Sequence, residues 1–125
     1  MESKRQRQVA EIIRRHFGML LQQEGAYIYG PEPLVTVTNV KMTPDLGLAR
    51  IYLSVYNTDN KQAVLLEMED AYPRLKQALH GRIRKQLRRM PELEFFLDDT
   101  LDEMERVNRL LDSLRSSSPA SSEEE

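Results

Sequence analysis

The chain has 125 residues, enough for one compact domain that builds its core without disulfide or metal staples. It is 40% hydrophobic and 30% charged, ordinary for a globular fold, and it holds no cysteine, which excludes disulfides, zinc–thiolate sites and thiol catalysis. The net charge of −2 conceals an asymmetry, because residues 1–91 carry 15 Lys and Arg against 9 Asp and Glu, and residues 92–125 carry 3 against 11.

Such a split points to a basic working surface and an acidic C-terminal segment. No apolar run approaches the ~20 residues of a membrane span, and "MESKRQRQ" lacks the apolar core of a signal peptide. A cytoplasmic protein with no membrane partner is the expectation.

From Ser3 to about Gln23, Val9, Ile12, Ile13, Phe17, Leu20 and Leu21 recur at helical spacing, and Gly25 stands where such a helix ends. "GAYIYGPEP" reads as a loop. "LVTVTNVKMT", Leu34 to Thr43, alternates and is rich in β-branched residues, as strands are. "PDLG" is a turn, and Leu48 to Tyr56 is a second strand, so the two form an antiparallel hairpin.

The polar "NTDNKQ" then caps a helix that runs to Pro73. Proline inside a helix costs ~3 kcal/mol or more, yet it suits the first turn of a new one. Pro73 is therefore expected to stand at a corner between two helices. The second carries Leu75, Ala78, Leu79, Ile83, Leu87 and Met90 on one side, and Pro91 ends it.

Glu92 to Asp98 reads as a third strand. A last helix, capped by Asp99 or Thr100, places Leu101, Met104, Val107, Leu110, Leu111 and Leu114 inward. "RSSSPASSEEE" is low-complexity and polar, the composition of a disordered tail. The order α-β-β-α-(kink)-α-β-α gives a two-layer α+β sandwich, a three-stranded sheet with helices on one face. The domain is expected over 1–115, with an acidic Ser/Glu tail over 116–125.

Catalytic candidates are thin. His16 borders the first apolar stripe, and His80 stands alone among cations. The acids Asp98, Asp99, Asp102 and Glu103 match no EF-hand spacing and crowd a helix N-terminus, where the dipole favours them. No nucleophile motif or phosphate-cradling glycine loop occurs, so no enzyme activity, metal or cofactor is expected.

The chemical concentration lies between Asp70 and Glu92: Arg74, Lys76, Arg82, Arg84, Lys85, Arg88 and Arg89, with no acid among them. On a helix through Met90, one side packs on the sheet while Arg74, Arg84, Lys85 and Arg88 face outward. Like charges at this density repel unless an anion compensates. Arginine predominates, and its planar fork suits phosphate. Lys4, Arg5 and Arg7 supply a second contact. No aromatic residue follows Tyr72 in the run, which favours phosphate and shape recognition over stacking on bases.

"VTVTNVKMTPDLGLARIYLSV" resembles the central hairpin of the ribosome-binding factor A family, and "RMPELEFFLDDTLDEMERVNRLL" resembles its closing strand and helix. The first helix, with Arg7, Val9 and Ile12, also fits, so the likeness spans residues 3–114. It implies a type-II KH-like fold and a non-catalytic bacterial assembly factor. The expected partners are the immature small ribosomal subunit and its ribosomal RNA, with a role in late maturation and rRNA processing and a monomer when free. The family's kinked helix pair, commonly marked Ala-x-Gly, falls here on Ala71-Tyr72-Pro73, with proline in place of glycine. The rival expectation is a protein-interaction module whose basic helix docks an acidic partner, such as its own Glu-rich tail.

Overall fold

The computed structural model describes residues 2–98 and 110–111. Helix α1 (Lys4–Glu24) opens on a capping box, in which Ser3 Oγ accepts from the Gln6 N–H (3.1 Å) and Gln6 Oε1 accepts from the Ser3 N–H (2.7 Å). Its stripe Val9, Ile13, Phe17, Leu20 and Leu21 is buried. Gly25 keeps right-handed helical angles, so the chain continues into one more helical turn, α2 (Ala26–Tyr29), where the sequence reads as loop. A Cβ on Gly25 would overlap the Tyr29 hydroxyl and the Leu21 carbonyl, so this close approach requires glycine.

Strands β1 (Leu34–Met42) and β2 (Leu48–Tyr56) form the antiparallel hairpin, paired from Leu34 opposite Tyr56 to Met42 opposite Ala49. The register slips between Val37 and Asn39, a bulge at Thr38. Strand β3 (Glu92–Leu97) lies parallel to β2, from Leu48 beside Glu92 to Leu53 beside Leu97, giving the order β1-β2-β3. Parallel neighbours need a long crossover, and α3 (Lys61–Asp70) with α4 (Tyr72–Ile83) supplies it.

The helices cover one face of this sheet. Val37, Val40, Met42, Ala49, Ile51, Leu53, Val55, Leu93 and Phe95 meet the α1 stripe together with Val64, Met68, Leu75, Leu79 and Ile83. Phe17 stacks on Phe95 (centroids 5.7 Å apart), and Tyr72 meets Phe95 edge-on (6.2 Å). The two-layer α+β sandwich read from the sequence is the fold observed.

Ala71 alone separates α3 from α4, with φ −92° and ψ 13°, and Pro73 occupies the first turn of α4. Its missing N–H removes nothing there, since first-turn donors have no intrahelical acceptor. Both ends of the corner are tied: the Ala71 N–H bonds the Glu67 carbonyl (3.1 Å), and the Leu75 N–H bonds the Ala71 carbonyl (2.9 Å). Gly81 lies within α4.

One expectation fails here. α4 stops at Ile83, whereas the apolar spacing carries a helix to Met90. The coil loosens through turns, with the Arg84 N–H on the His80 carbonyl (2.9 Å) and the Leu87 N–H on the Ile83 carbonyl (3.1 Å). The cause is tertiary. Glu92 is held at the start of the parallel ladder, its N–H on the Gly47 carbonyl (2.9 Å). Helix through Met90 would carry the chain a further ~10 Å along the α4 axis before it could turn back to that edge. Leu87 still reaches the core, from a turn.

The expected last helix and tail lie outside the described residues, apart from Leu110 and Leu111. These two are helical but exposed, not turned inward.

Candidate nucleic-acid interface

Because α4 ends early, Arg74, Lys76, Arg82, Arg84, Lys85, Arg88 and Arg89 do not share one helix face. Three belong to α4 and are engaged within the chain. Arg74 pairs with Glu24 (3.3 Å), and Lys76 pairs with Glu92 (2.7 Å) while lying 5.9 Å from the Tyr72 ring centre. Arg82 donates to the Gln23 side chain. The acids that answer the run come from other elements, which the local sequence does not reveal.

Tyr72 joins this network. Its hydroxyl donates to Glu92 Oε1 (2.6 Å) and accepts from the Leu93 N–H (3.0 Å). The Lys76 and Tyr72 hydrogen bonds hold the Glu92 carboxyl below the usual carboxylate range. The same bond raises Lys76, and burial, followed by the bond to Glu92, raises Tyr72.

The other four cations, Arg84, Lys85, Arg88 and Arg89, lie in the turns between α4 and β3 and are exposed. Arg84, Lys85 and Arg88 have no ion-pair partner among the described residues, and neither have Lys4, Arg5 and Arg7 at the start of α1. The fold brings these two groups together. A cleft of about 450 Å³ is lined by Arg5 and Val9 of α1, Asp45 and Leu46 of the β1–β2 turn, and Leu87, Arg88, Arg89 and Pro91. Arg5 also lines a shallower groove of about 500 Å³ along α1, with Lys4, Arg7, Ile12, Arg15 and the acid Glu11 that pairs with Arg15. Arg5 therefore joins the two basic surfaces, while Arg84 and Lys85 lie on the same turns as the cleft but outside its lining.

Asp45 is the acid in this cleft. Its Oδ1 accepts from the Thr43 hydroxyl (2.7 Å) and from the Gly47 N–H (3.0 Å). These bonds, with a further contribution from the Arg89 charge, hold its carboxyl below the ordinary range. Sequence reading treats Asp45 as a turn former, which it is, but gives no signal of Arg89, 44 positions away. Two cations outside the run, Lys41 and Arg50, stand on the other sheet face, Lys41 over the Tyr52 ring (6.0 Å) and Arg50 beside Glu94 (3.6 Å).

Among the other candidates, His80 is exposed in the last turn of α4, where a helix dipole favours a cation. His16 is half-buried, and its Nδ1 has no hydrogen-bond partner among the described residues. Asp98 accepts from the Thr38 hydroxyl (2.6 Å), whereas Asp99, Asp102 and Glu103 lie outside the described residues. Among the described residues no group of three or more His, Asp or Glu is placed to hold a metal, and no helix is long and apolar enough to cross a membrane.

The comparison with known proteins is unambiguous. The family profile described as ribosome-binding factor A matches residues 5–111. The chain belongs to the ribosome-binding factor A family. Ribosome-binding factor A of Chlorobium luteolum is 40% identical over 114 residues, 90% of this chain and 93% of that one. Ribosome-binding factor A of Chlorobaculum tepidum is 42% identical over 112 residues, 85% and 91% of the two chains.

Among solved structures, crystalline ribosome-binding factor A of Thermus thermophilus superposes with a TM-score of 0.61 at 23% identity, covering 74% of this chain and 94% of that one. A homology model of Thermus thermophilus ribosome-binding factor A, fitted into a cryo-electron-microscopy map of its 30S complex, gives 0.57 at 26%, covering 70% and 88%. Ribosome-binding factor A structures have a KH-like fold, and the mixed sheet with its α3–α4 corner gives this family member the same architecture.

Proposed function

We propose that this ribosome-binding factor A family member binds the immature small ribosomal subunit through its ribosomal RNA and assists late maturation and rRNA processing. It acts as a non-catalytic, cytoplasmic assembly factor that is monomeric when free. Family membership supports the ribosomal partner, as does the relative fitted into a map of its 30S complex. The observation that carries RNA contact is the set of exposed cations, Lys4, Arg5, Arg7, Arg84, Lys85 and Arg88, that the described residues leave without acid partners. Arg89 lies on the same exposed turns but stands against Asp45. Arg74, Lys76 and Arg82 contribute second, because RNA must compete with Glu24, Glu92 and Gln23 for them.

Phosphate contacts release counterions, so binding weakens steeply with salt. Charge reversal of Arg84, Lys85 and Arg88 together is expected to abolish co-sedimentation with free small subunits while leaving the circular dichroism spectrum unchanged, since all three are exposed. A triple variant that still co-sediments with unchanged salt sensitivity overturns the assignment.

A further inference from the structure

We infer that the cleft between the first turn of α1, the β1–β2 turn and the segment after α4 is a notch for RNA phosphodiesters, ligated by Arg5, Arg88 and Arg89, with Asp45 as a built-in competitor that sets its affinity. The inference rests on the RNA-binding reading and adds a place and a tuning residue to it.

Three elements far apart in sequence meet at this cleft, and their side chains divide by chemistry. The floor is apolar and fixed: Val9, Leu87 and Pro91 are buried, and Leu46 packs against the core. Three guanidinium groups stand among these walls, one from α1 and two from the turn before β3. Arginine's planar fork donates two parallel hydrogen bonds to a phosphate, and a rigid floor keeps the donors in place before the anion arrives. About 450 Å³ is room for a backbone phosphate with its flanking sugars rather than for a folded partner.

The β1–β2 turn is shaped to the Arg89 side chain. A Cβ at Gly47 would stand 2.7 Å from an Arg89 guanidinium nitrogen and 3.1 Å from Asp45 Oδ2, so the bare glycine backbone makes room for both. Leu46 adopts a left-handed φ of 61°, a conformation rare outside glycine, asparagine and aspartate. Residues held in such sparsely populated regions concentrate at ligand clamps and active sites.

Asp45 supplies the tuning. Its turn hydrogen bonds to Thr43 and Gly47 hold the carboxylate at the cleft whether or not an anion is present. In the empty cleft it offsets part of the repulsion among the arginines. When a phosphate arrives it opposes the ligand, because two anions then share the same cations. Asp45 therefore lowers affinity for RNA and favours release.

Asp45→Asn isolates this effect, since the amide oxygen still accepts from Thr43 and Gly47 while the charge is gone. The probe is a fluorescein-labelled RNA stem–loop titrated by anisotropy with the full chain, and circular dichroism monitors folding of every variant. D45N is expected to bind ~2–5-fold more tightly at low salt, the scale of one exposed charge interaction. The R5Q/R88Q double variant is expected to weaken binding and to flatten the log–log salt dependence by roughly two phosphate contacts' worth. In an R5Q/R88Q/R89Q background D45N should add nothing, whereas in an R84Q/K85Q background its gain should persist.

If D45N binds RNA no more tightly than the parent, or its gain survives R5Q/R88Q/R89Q, the notch is wrong while RNA binding stands. If R5Q/R88Q binds like the parent and R84Q/K85Q does not, the phosphate site lies elsewhere on the basic turn. A parent chain that ignores the stem–loop but binds a polyglutamate peptide overturns both the notch and the RNA-binding reading.

Discussion

The Tyr72 hydroxyl donates to Glu92 Oε1 at 2.6 Å and accepts from the Leu93 N–H at 3.0 Å, so the residue beside the helix corner is fastened to the first two residues of the parallel strand. The α3–α4 corner and the start of β3 are thus one joint. Tyr72→Phe removes both hydrogen bonds but keeps the ring against Phe95. It is expected to cost ~0.5–1.5 kcal/mol, a fall of several degrees in Tm by calorimetry. An unchanged Tm would show that the joint is held by ring packing alone.

The same joint makes stability depend on acidity. Glu92 has its carboxyl below its ordinary value of 4.5, first through Lys76 and then through Tyr72. Around and below that value the unfolded chain binds the proton more readily than the folded chain, so stability is present above it and is lost as pH falls through the lowered folded value. Glu92→Gln is expected to flatten this acid limb in urea titrations run at pH steps below 5. Because Glu92 is exposed to solvent and Lys76 only half-buried, the effect is small and shrinks further in high salt.

Pro73 marks the corner but does not make it. Ala71 carries the non-helical ψ, and its carbonyl and N–H are both bonded. Pro73→Ala is therefore expected to keep the break, at a loss of ~0.4–1 kcal/mol from the freer unfolded chain. Backbone chemical shifts of Ala71 and Tyr72 check it: values moving to those of continuous helix would show that proline alone prevents fusion of α3 and α4.

Gln6 is a buried amide, 5% exposed, that links the capping box of α1 to the sheet by donating from Nε2 to the Met42 carbonyl (2.9 Å). Gln6→Ala leaves that carbonyl unpaired in the core and opens the cap, an expected cost of ~1–3 kcal/mol in denaturant titrations. Gln6→Glu is expected to cost at least as much, since a carboxylate offers no donor to Met42.

The boundaries that the sequence predicts well are those set by local chemistry. Ser3 caps α1 with its own side chain, the hairpin strands alternate between buried and exposed residues, and Pro73 starts α4 where its missing donor is harmless. The misread boundaries depend on distant residues. Gly25 resembles a helix stop, yet Tyr29 packs back over it and the chain coils on. The 84–90 stretch has helical spacing and a helical composition, but its geometry is imposed by the β2 edge that β3 must join.

By itself, the sequence determined the two-layer fold, the helix corner, the concentration of cations and the family, because hydrophobic periodicity, proline chemistry and charge are carried by neighbouring residues. Only the tertiary structure decided which cations are available. Glu24, Glu92 and Gln23 engage the α4 set from other elements, and the turn at Gly47 brings Asp45 against Arg89. Those relationships arise when the crossover closes the parallel ladder and brings together groups that are tens of residues apart in the chain.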